Sequence, residues 1–233
     1  MADYPPSDDL PPPNWRRLYE ASWLLSRAWR GIGQNGPRGP EDGPPALVIP
    51  GFIASDRTVM ELRRALAEGG RRVYPWSLGW NLGAKADTIE RLTARLDAIS
   101  PDRPVLVVGW SLGGVFAREL ARAHPDRVSA VVTLGSPFSG DPRMNNVWRL
   151  YEWVAGHPVD DPPIPRNSDK PPVPTLAIWS AGDGIVSPRA ARGLAQESDR
   201  AVEFCCSHMA FGVSRRTARA VVREIDSFLK NVP

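Results

Sequence analysis

Pro104-Val105-Leu106-Val107-Val108-Gly109-Trp110-Ser111-Leu112-Gly113-Gly114 is the stretch on which the fold of this chain turns. The apolar run 104–108 reads as a short buried strand, and the pattern Val115, Phe116, Ala117, Leu120, Ala121 that follows it is helical. Between them stands a serine with glycine two residues to either side, the G-x-S-x-G pattern of a nucleophile elbow. A turn that sharp strains the serine backbone, and only neighbours without a Cβ let the chain double back on itself. The hydroxyl is then held clear of the main chain, with the N-terminus of the next helix beneath it to favour developing negative charge. Five residues of this kind are a weak signal alone; the flanking strand and helix supply the context.

Outward from that turn the chain alternates. Strands are expected over 46–50, 72–75, 128–134, 175–180 and 201–204, besides the one before the serine. Helices are expected over 58–68, 85–99, 188–197 and 215–229, besides the one after it that ends near His124-Pro125. Strands separated by helices of this length imply an α/β fold, a mostly parallel sheet covered on both faces, with sites at the carboxyl ends of its strands. The 46–230 region is read as this domain. One segment, 138–172, interrupts the alternation with Trp148, Tyr151, Trp153 and a proline-rich tail, and reads as a small cap or lid. Residues 1–33 form a separate arm. Its first 13 residues are polar and proline-rich, 14–32 carry a Trp-rich helical pattern (Trp15, Trp23, Trp29), and a Gly/Pro-rich linker follows. That helix has three readings: packing on the domain, lying on a membrane surface, or joining a dimer.

Composition narrows the function. At 233 residues and 42% apolar, the chain can bury one sizeable core. Its 29 basic and 26 acidic residues leave a charge of only +3, with no cationic cluster interleaved with aromatics, so nucleic acid is not an expected partner. No signal-peptide pattern opens the sequence and no apolar stretch approaches bilayer length. The only cysteines, Cys205 and Cys206, are adjacent and form neither a disulfide framework nor a zinc set, so the expected setting is a reducing cytoplasm with no metal bound.

A serine hydroxyl needs a base, and there are three histidines to choose from. His124 ends the helix after the elbow, at its far end, and His157 lies in the cap segment. His208 follows the last expected strand, on a loop at the same sheet edge as Ser111, and is the candidate base. A carboxylate must hold the imidazole in the right tautomer. Asp183 follows the 175–180 strand between Gly182 and Gly184, which allow a tight presenting loop, whereas its competitor Asp141 precedes a proline after the preceding strand. Oxyanion donors are expected at the backbone N–H of Leu112, directly after the serine, and of Phe52, on the loop after Pro50-Gly51. Trp80 and Trp110, with Trp76 and Asn81, have two readings, as pocket lining or as core, and Met209 beside His208 is read as a pocket wall rather than a reactive thioether.

Pro50-Gly51-Phe52, Gly109-Trp110-Ser111-Leu112-Gly113-Gly114, Gly135-Ser136-Pro137, Gly182-Asp183-Gly184-Ile185-Val186 and Ser207-His208 together resemble the α/β-hydrolase superfamily, in particular bacterial lipase- and esterase-like serine hydrolases. The order Ser111, Asp183, His208 is the one that fold uses. The resemblance implies hydrolysis of a small acyl ester through an acyl-enzyme, with no cofactor. A thioesterase or acyltransferase with the same triad is the close alternative, and a non-catalytic binding protein on this fold the more distant one. The chain departs from the pattern by lacking the first antiparallel strands and by the shortness of its cap. A short cap points to a shallow acyl site rather than one for long chains.

Overall fold

In the computed structural model, which describes residues 10–13, 15, 16, 20 and 36–231, six strands form one sheet in the order β2-β1-β3-β4-β5-β6. They are β1 (Pro45–Ile49), β2 (Arg72–Pro75), β3 (Val105–Trp110), β4 (Val128–Leu134), β5 (Thr175–Trp179) and β6 (Arg200–Glu203). Every pairing between them is parallel. All six therefore end at one edge of the sheet, and the loops after β1, β3, β4, β5 and β6 meet there. The helices are α1 (Met60–Glu68), α2 (Thr88–Ile99), α3 (Leu112–Ala123), α4 (Trp148–Ala155), α5 (Pro188–Arg192), α6 (His208–Val213) and α7 (Arg215–Lys230).

The strand alternation divides the core in two. Leu106, Val108 and Trp110 of β3 join Val132, Leu134 and Ile178 on one face, beneath Leu62 and Leu66 of α1, Phe211 of α6 and Val221 and Ile225 of α7. Val105 and Val107 face the other way with Leu47 and Ile49, onto Leu92 and Leu96 of α2 and Phe116 and Leu120 of α3. Successive side chains of a strand point to opposite faces, so a central strand covered on both sides is apolar throughout. All six residues of β3 are buried. On α7 the buried residues Ala218, Val221, Val222, Ile225 and Phe228 recur at three- and four-residue spacing, the stripe by which an otherwise charged helix docks.

The helix expected over 188–197 is broken. Gly193 departs from helical geometry at φ +75°, and a 3-10 turn, Ala195–Glu197, follows in which the Glu197 carboxylate accepts the Leu194 N–H (2.6 Å). His208, expected on a loop, instead opens α6, whose N-cap Ser207 accepts the Ala210 N–H. The 138–172 segment contains α4 and touches the domain through a bridge between Asn145 and Val186. Arg118 of α3 anchors its far end: the guanidinium donates to the carbonyls of Ser168 (2.8 Å) and Asp169 (2.9 Å) and lies 4.1 Å from the ring centre of Phe138. Most of the helix expected over 14–32, including Trp23 and Trp29, lies outside the described residues. Among the described residues no helix is long and apolar enough to cross a membrane.

Candidate active site

Ser111 sits between β3 and α3 at φ +55°, ψ −124°, a backbone conformation that L-residues rarely adopt. The surrounding structure holds it there. The Ser111 N–H still donates to the Leu134 carbonyl of β4 (2.9 Å), so the turn begins before the sheet has let go. A Cβ at Gly109 would lie 2.2 Å from the Gly113 carbonyl oxygen, and one at Gly113 would lie 2.3 Å from the Ile49 carbonyl oxygen. Backbone meets backbone at both places, which is the close approach the sequence implies for these glycines. Strain of this kind costs about 1–3 kcal/mol and persists only when the fold over-determines it.

The loops after β5 and β6 bring Asp183 and His208 together. His208 Nδ1 lies 2.7 Å from Asp183 Oδ2, and both side chains are buried, 4% and 1% exposed. The other carboxylate oxygen, Oδ1, accepts the N–H groups of Ile185 (2.8 Å) and Val186 (2.9 Å), so the aspartate is clamped from behind. Gly135, after β4, passes against this pair: a Cβ on it would stand 2.9 Å from Asp183 Oδ2 and 3.2 Å from His208 Nδ1. Burial pushes the His208 imidazole toward its neutral form. The charge and hydrogen bond of Asp183, with the charge of Glu20, outweigh that and raise its proton affinity above the ordinary value. Asp141 is exposed and its carboxylate accepts the Arg143 N–H (2.7 Å). His124 caps the far end of α3, and His157 is engaged by Tyr151 Oη (3.4 Å) and the Pro158 carbonyl (2.9 Å) of the cap segment and by the Ala84 carbonyl (3.2 Å).

The loop after β1 reaches Ser111 as well. A Cβ at Gly51 would lie 3.0 Å from Ser111 Cβ and 3.3 Å from the Trp110 carbonyl oxygen, so the loop packs closely on the elbow. Asn81 braces this loop, donating to the Pro50 carbonyl (2.8 Å) while its own carbonyl accepts the Ile53 N–H (2.8 Å). The Phe52 N–H takes no part in these bonds. Its ring packs 5.2 Å from that of Tyr151 on α4, which ties the loop to the cap segment.

Ser111, Leu112 and Phe52 line a cavity of about 70 Å³, closed by Val115 and Phe116 of α3 and by Trp148, Tyr151 and Ile164 of the cap segment. Arg166 contributes one charged wall, but its guanidinium is engaged by the carbonyls of Pro137 and Gly140 (3.0 Å each), and burial lowers its proton affinity. Trp80, Trp110 and Met209, expected at the substrate site, are not among the residues that line this cavity. Trp110 is 3% exposed and continues the inward row of Leu106 and Val108; its Nε1 donates to the His208 carbonyl (3.1 Å) and its ring lies 5.5 Å from the imidazole. Trp110 therefore supports the histidine from the core. Met209 packs against that same core, and Trp80 is 56% exposed and stands outside the cavity wall. The lining comes from the cap segment instead, whose aromatic-rich turns were its only advance sign.

Two further features carried no local sequence signal. Cys206, behind Asp183, is a protonated thiol, its pKa pushed up to about 12 by burial and by the aspartate charge, and so does not compete as a nucleophile. Glu20, far away in the chain, is buried and takes the N–H groups of Gly184, His208 and Met209.

A sequence model of the family described as the alpha/beta hydrolase fold matches residues 29–162. A 58-residue stretch is 43% identical to pimeloyl-[acyl-carrier protein] methyl ester esterase of Salmonella heidelberg (strain SL476), covering 25% of this chain and 22% of that protein. The match thus spans about a fifth of the relative's length. Among solved structures, an alpha/beta hydrolase enzyme from a metagenome of lagoon sediments (Mar Chica, Morocco) superposes with a TM-score of 0.59 at 20% identity, over 86% of this chain and 98% of that one. The monoacylglycerol lipase of Paleococcus ferrophilus superposes with a TM-score of 0.58 at 14% identity, over 83% and 98%. These two likenesses are of fold.

Proposed function

The chain belongs to the α/β-hydrolase fold family, and from that premise we propose that it is a serine hydrolase that cleaves a carboxylic ester through an acyl-enzyme. The observation that carries this is the buried 2.7 Å pair of His208 and Asp183, at the sheet edge where the strained Ser111 opens into an apolar cavity. In this reading Ser111 Oγ attacks the ester carbonyl as His208 Nε2 takes its proton. Asp183, held by two N–H groups, fixes the proton on Nδ1 and stabilises the imidazolium. The carbonyl oxygen becomes an oxyanion facing the N–H groups of Phe52 and Leu112; one such donor is worth on the order of a hundred- to a thousandfold in turnover. The tetrahedral adduct collapses as His208 returns the proton to the departing alkoxide. A water then attacks the acyl-enzyme carbonyl while His208 takes its proton, and collapse of that second adduct releases the acid and gives the proton back to Ser111 Oγ.

The partial relative is named for a methyl ester, which is consistent with a small leaving alcohol here. The cavity, well below the roughly 300 Å³ at which sites for drug-sized ligands begin, favours a short acyl group. Two unbridged thiols suit a reducing compartment. A stopped-flow trace with p-nitrophenyl acetate tests the proposal. A burst of nitrophenol equal to the enzyme present, followed by slower turnover, is expected, and both phases should vanish in Ser111→Ala. Hydrolysis that survives in Ser111→Ala would overturn the assignment.

A further inference from the structure

We propose that Glu20, on the N-terminal arm, is a positioning residue that fastens the loop bearing Asp183 to the loop bearing His208. Its carboxylate is 4% exposed and spends both oxygens on those two loops. Oε1 accepts the N–H of Gly184 (3.1 Å), the residue after the aspartate, and the N–H of His208 itself (2.7 Å). Oε2 accepts the N–H of Met209 (2.9 Å). One oxygen thus joins the two halves of the pair, across 164 and 188 residues of sequence. All three partners are donors, so an acceptor-only carboxylate is the group that satisfies them; charge-assisted bonds of this kind are about twice as strong as neutral ones.

The contact is built from both sides. A Cβ on Gly184 would lie 2.9 Å from Glu20 Cγ and 2.8 Å from the Arg16 carbonyl oxygen, so a side chain at 184 would displace the arm. The Arg16 guanidinium donates to the Ala181 carbonyl at the start of the aspartate loop. From the cap segment Asn146 Nδ2 donates both to the Pro12 carbonyl (2.7 Å) of the arm and to the Gly184 carbonyl (3.0 Å). Ser180 links the same two loops at their bases through the Cys206 carbonyl (2.6 Å), whereas Glu20 links them at the pair. The groups facing the imidazole are Asp183 from the β5 loop, Glu20 from the arm and the Trp110 ring. Glu20 is therefore the second negative charge on His208, and its removal has an electrostatic effect that lost packing alone would not have.

The test uses the full chain with Glu20→Gln and Glu20→Ala. Glutamine has the same shape but no charge, and its amide NH2 must face one of the three donors. The His208 titration is followed by NMR, with His124→Gln and His157→Gln variants assigning the three imidazoles. In Glu20→Gln the His208 pKa is expected to fall by roughly a few tenths of a unit to one unit, less than the one to three units a carboxylate in direct contact is worth. In Glu20→Ala the kcat for p-nitrophenyl acetate is expected to fall on the order of ten- to a hundredfold with KM within about twofold, the cost of a catalytic group held loosely. Glutamine should restore part of that loss.

The kinetic arm rests on the ester-hydrolase reading and the titration does not. A wild-type chain that cleaves no ester but whose His208 pKa falls in Glu20→Gln would retire that reading and keep the positioning role. An active wild type whose folded Glu20→Gln variant keeps both kcat and the His208 pKa would overturn the positioning role and leave the hydrolase standing.

Discussion

Gly135→Ala puts a single methyl group against the His208–Asp183 pair without altering any residue of the proposed chemistry. Gly135 has φ +53°, so alanine pays the left-handed backbone penalty, about 1–2 kcal/mol. The new Cβ would lie 2.9 Å from Asp183 Oδ2, where ordinary contact begins near 3.4 Å, a shortfall of roughly 0.5 Å. Retreat is difficult. Oδ1 is tied to two N–H groups, the imidazole is backed by Trp110, and Phe211 lies 3.3 Å from the same Cβ. What yields is the 2.7 Å bond, toward the roughly 3.2 Å at which N–H···O geometry gives out. Complete loss of the carboxylate's hold costs about ten-thousandfold in a serine-protease triad; a stretched bond should cost on the order of a hundredfold in kcat, with KM little changed. The combined strain, about 2–3 kcal/mol, should lower Tm by about 5–10 °C for a chain of this size. Gly70→Ala is the control, since φ there is +86° with nothing within 4 Å of the added carbon. It should lose stability and keep kcat. Steady-state hydrolysis of p-nitrophenyl acetate and a thermal melt on each variant decide the matter. A folded Gly135→Ala protein with kcat within twofold of wild type would refute the proposed role of the His208–Asp183 pair.

Other outcomes follow from the same structure. In the proposed mechanism the base acts as neutral imidazole, and the proton affinity of His208 is raised, so kcat/KM should climb with pH through a midpoint above the ordinary histidine value of about 6.5. In Asp183→Asn burial is opposed by the Glu20 charge alone, so the midpoint should fall well below that of the wild type; a wild-type midpoint at or under the ordinary value would count against the pair. Across p-nitrophenyl esters of increasing acyl length the rate should be highest for acetate and butyrate and should fall by dodecanoate, since the cavity measures about 70 Å³; a maximum at long chains would contradict this. Arg118→Ala should cost about 3 kcal/mol by stranding the carbonyls of Ser168 and Asp169, read as a lower urea midpoint; an unchanged midpoint would show that the anchor of the cap segment is dispensable.

The elbow was legible because its determinants are local: an apolar run, glycines at fixed spacing and a helical stripe all lie between residues 104 and 121. The parallel sheet followed from alternation for the same reason. Asp183 and His208 could be singled out because strand ends in a parallel sheet share an edge. Trp110 was open to a better reading, as period-two alternation from Leu106 and Val108 places it in the core. The break at Gly193 and the helix begun by His208 depend on side-chain caps in short segments, where propensity decides little. The pocket lining and Glu20 lay beyond local pattern. A cap segment without regular periodicity does not say which of its faces turns inward, and a lone glutamate in an arm carries no sign of the N–H groups it meets.

The central claim is that Ser111 is the nucleophile, and covalent trapping tests it most directly. The full chain is treated with a fluorophosphonate, digested, and the modified peptide sequenced by mass spectrometry. A single adduct on Ser111 is predicted, absent from Ser111→Ala and strongly slowed in His208→Ala. An adduct elsewhere, undiminished labelling of Ser111→Ala, or no adduct on the wild-type chain would contradict it.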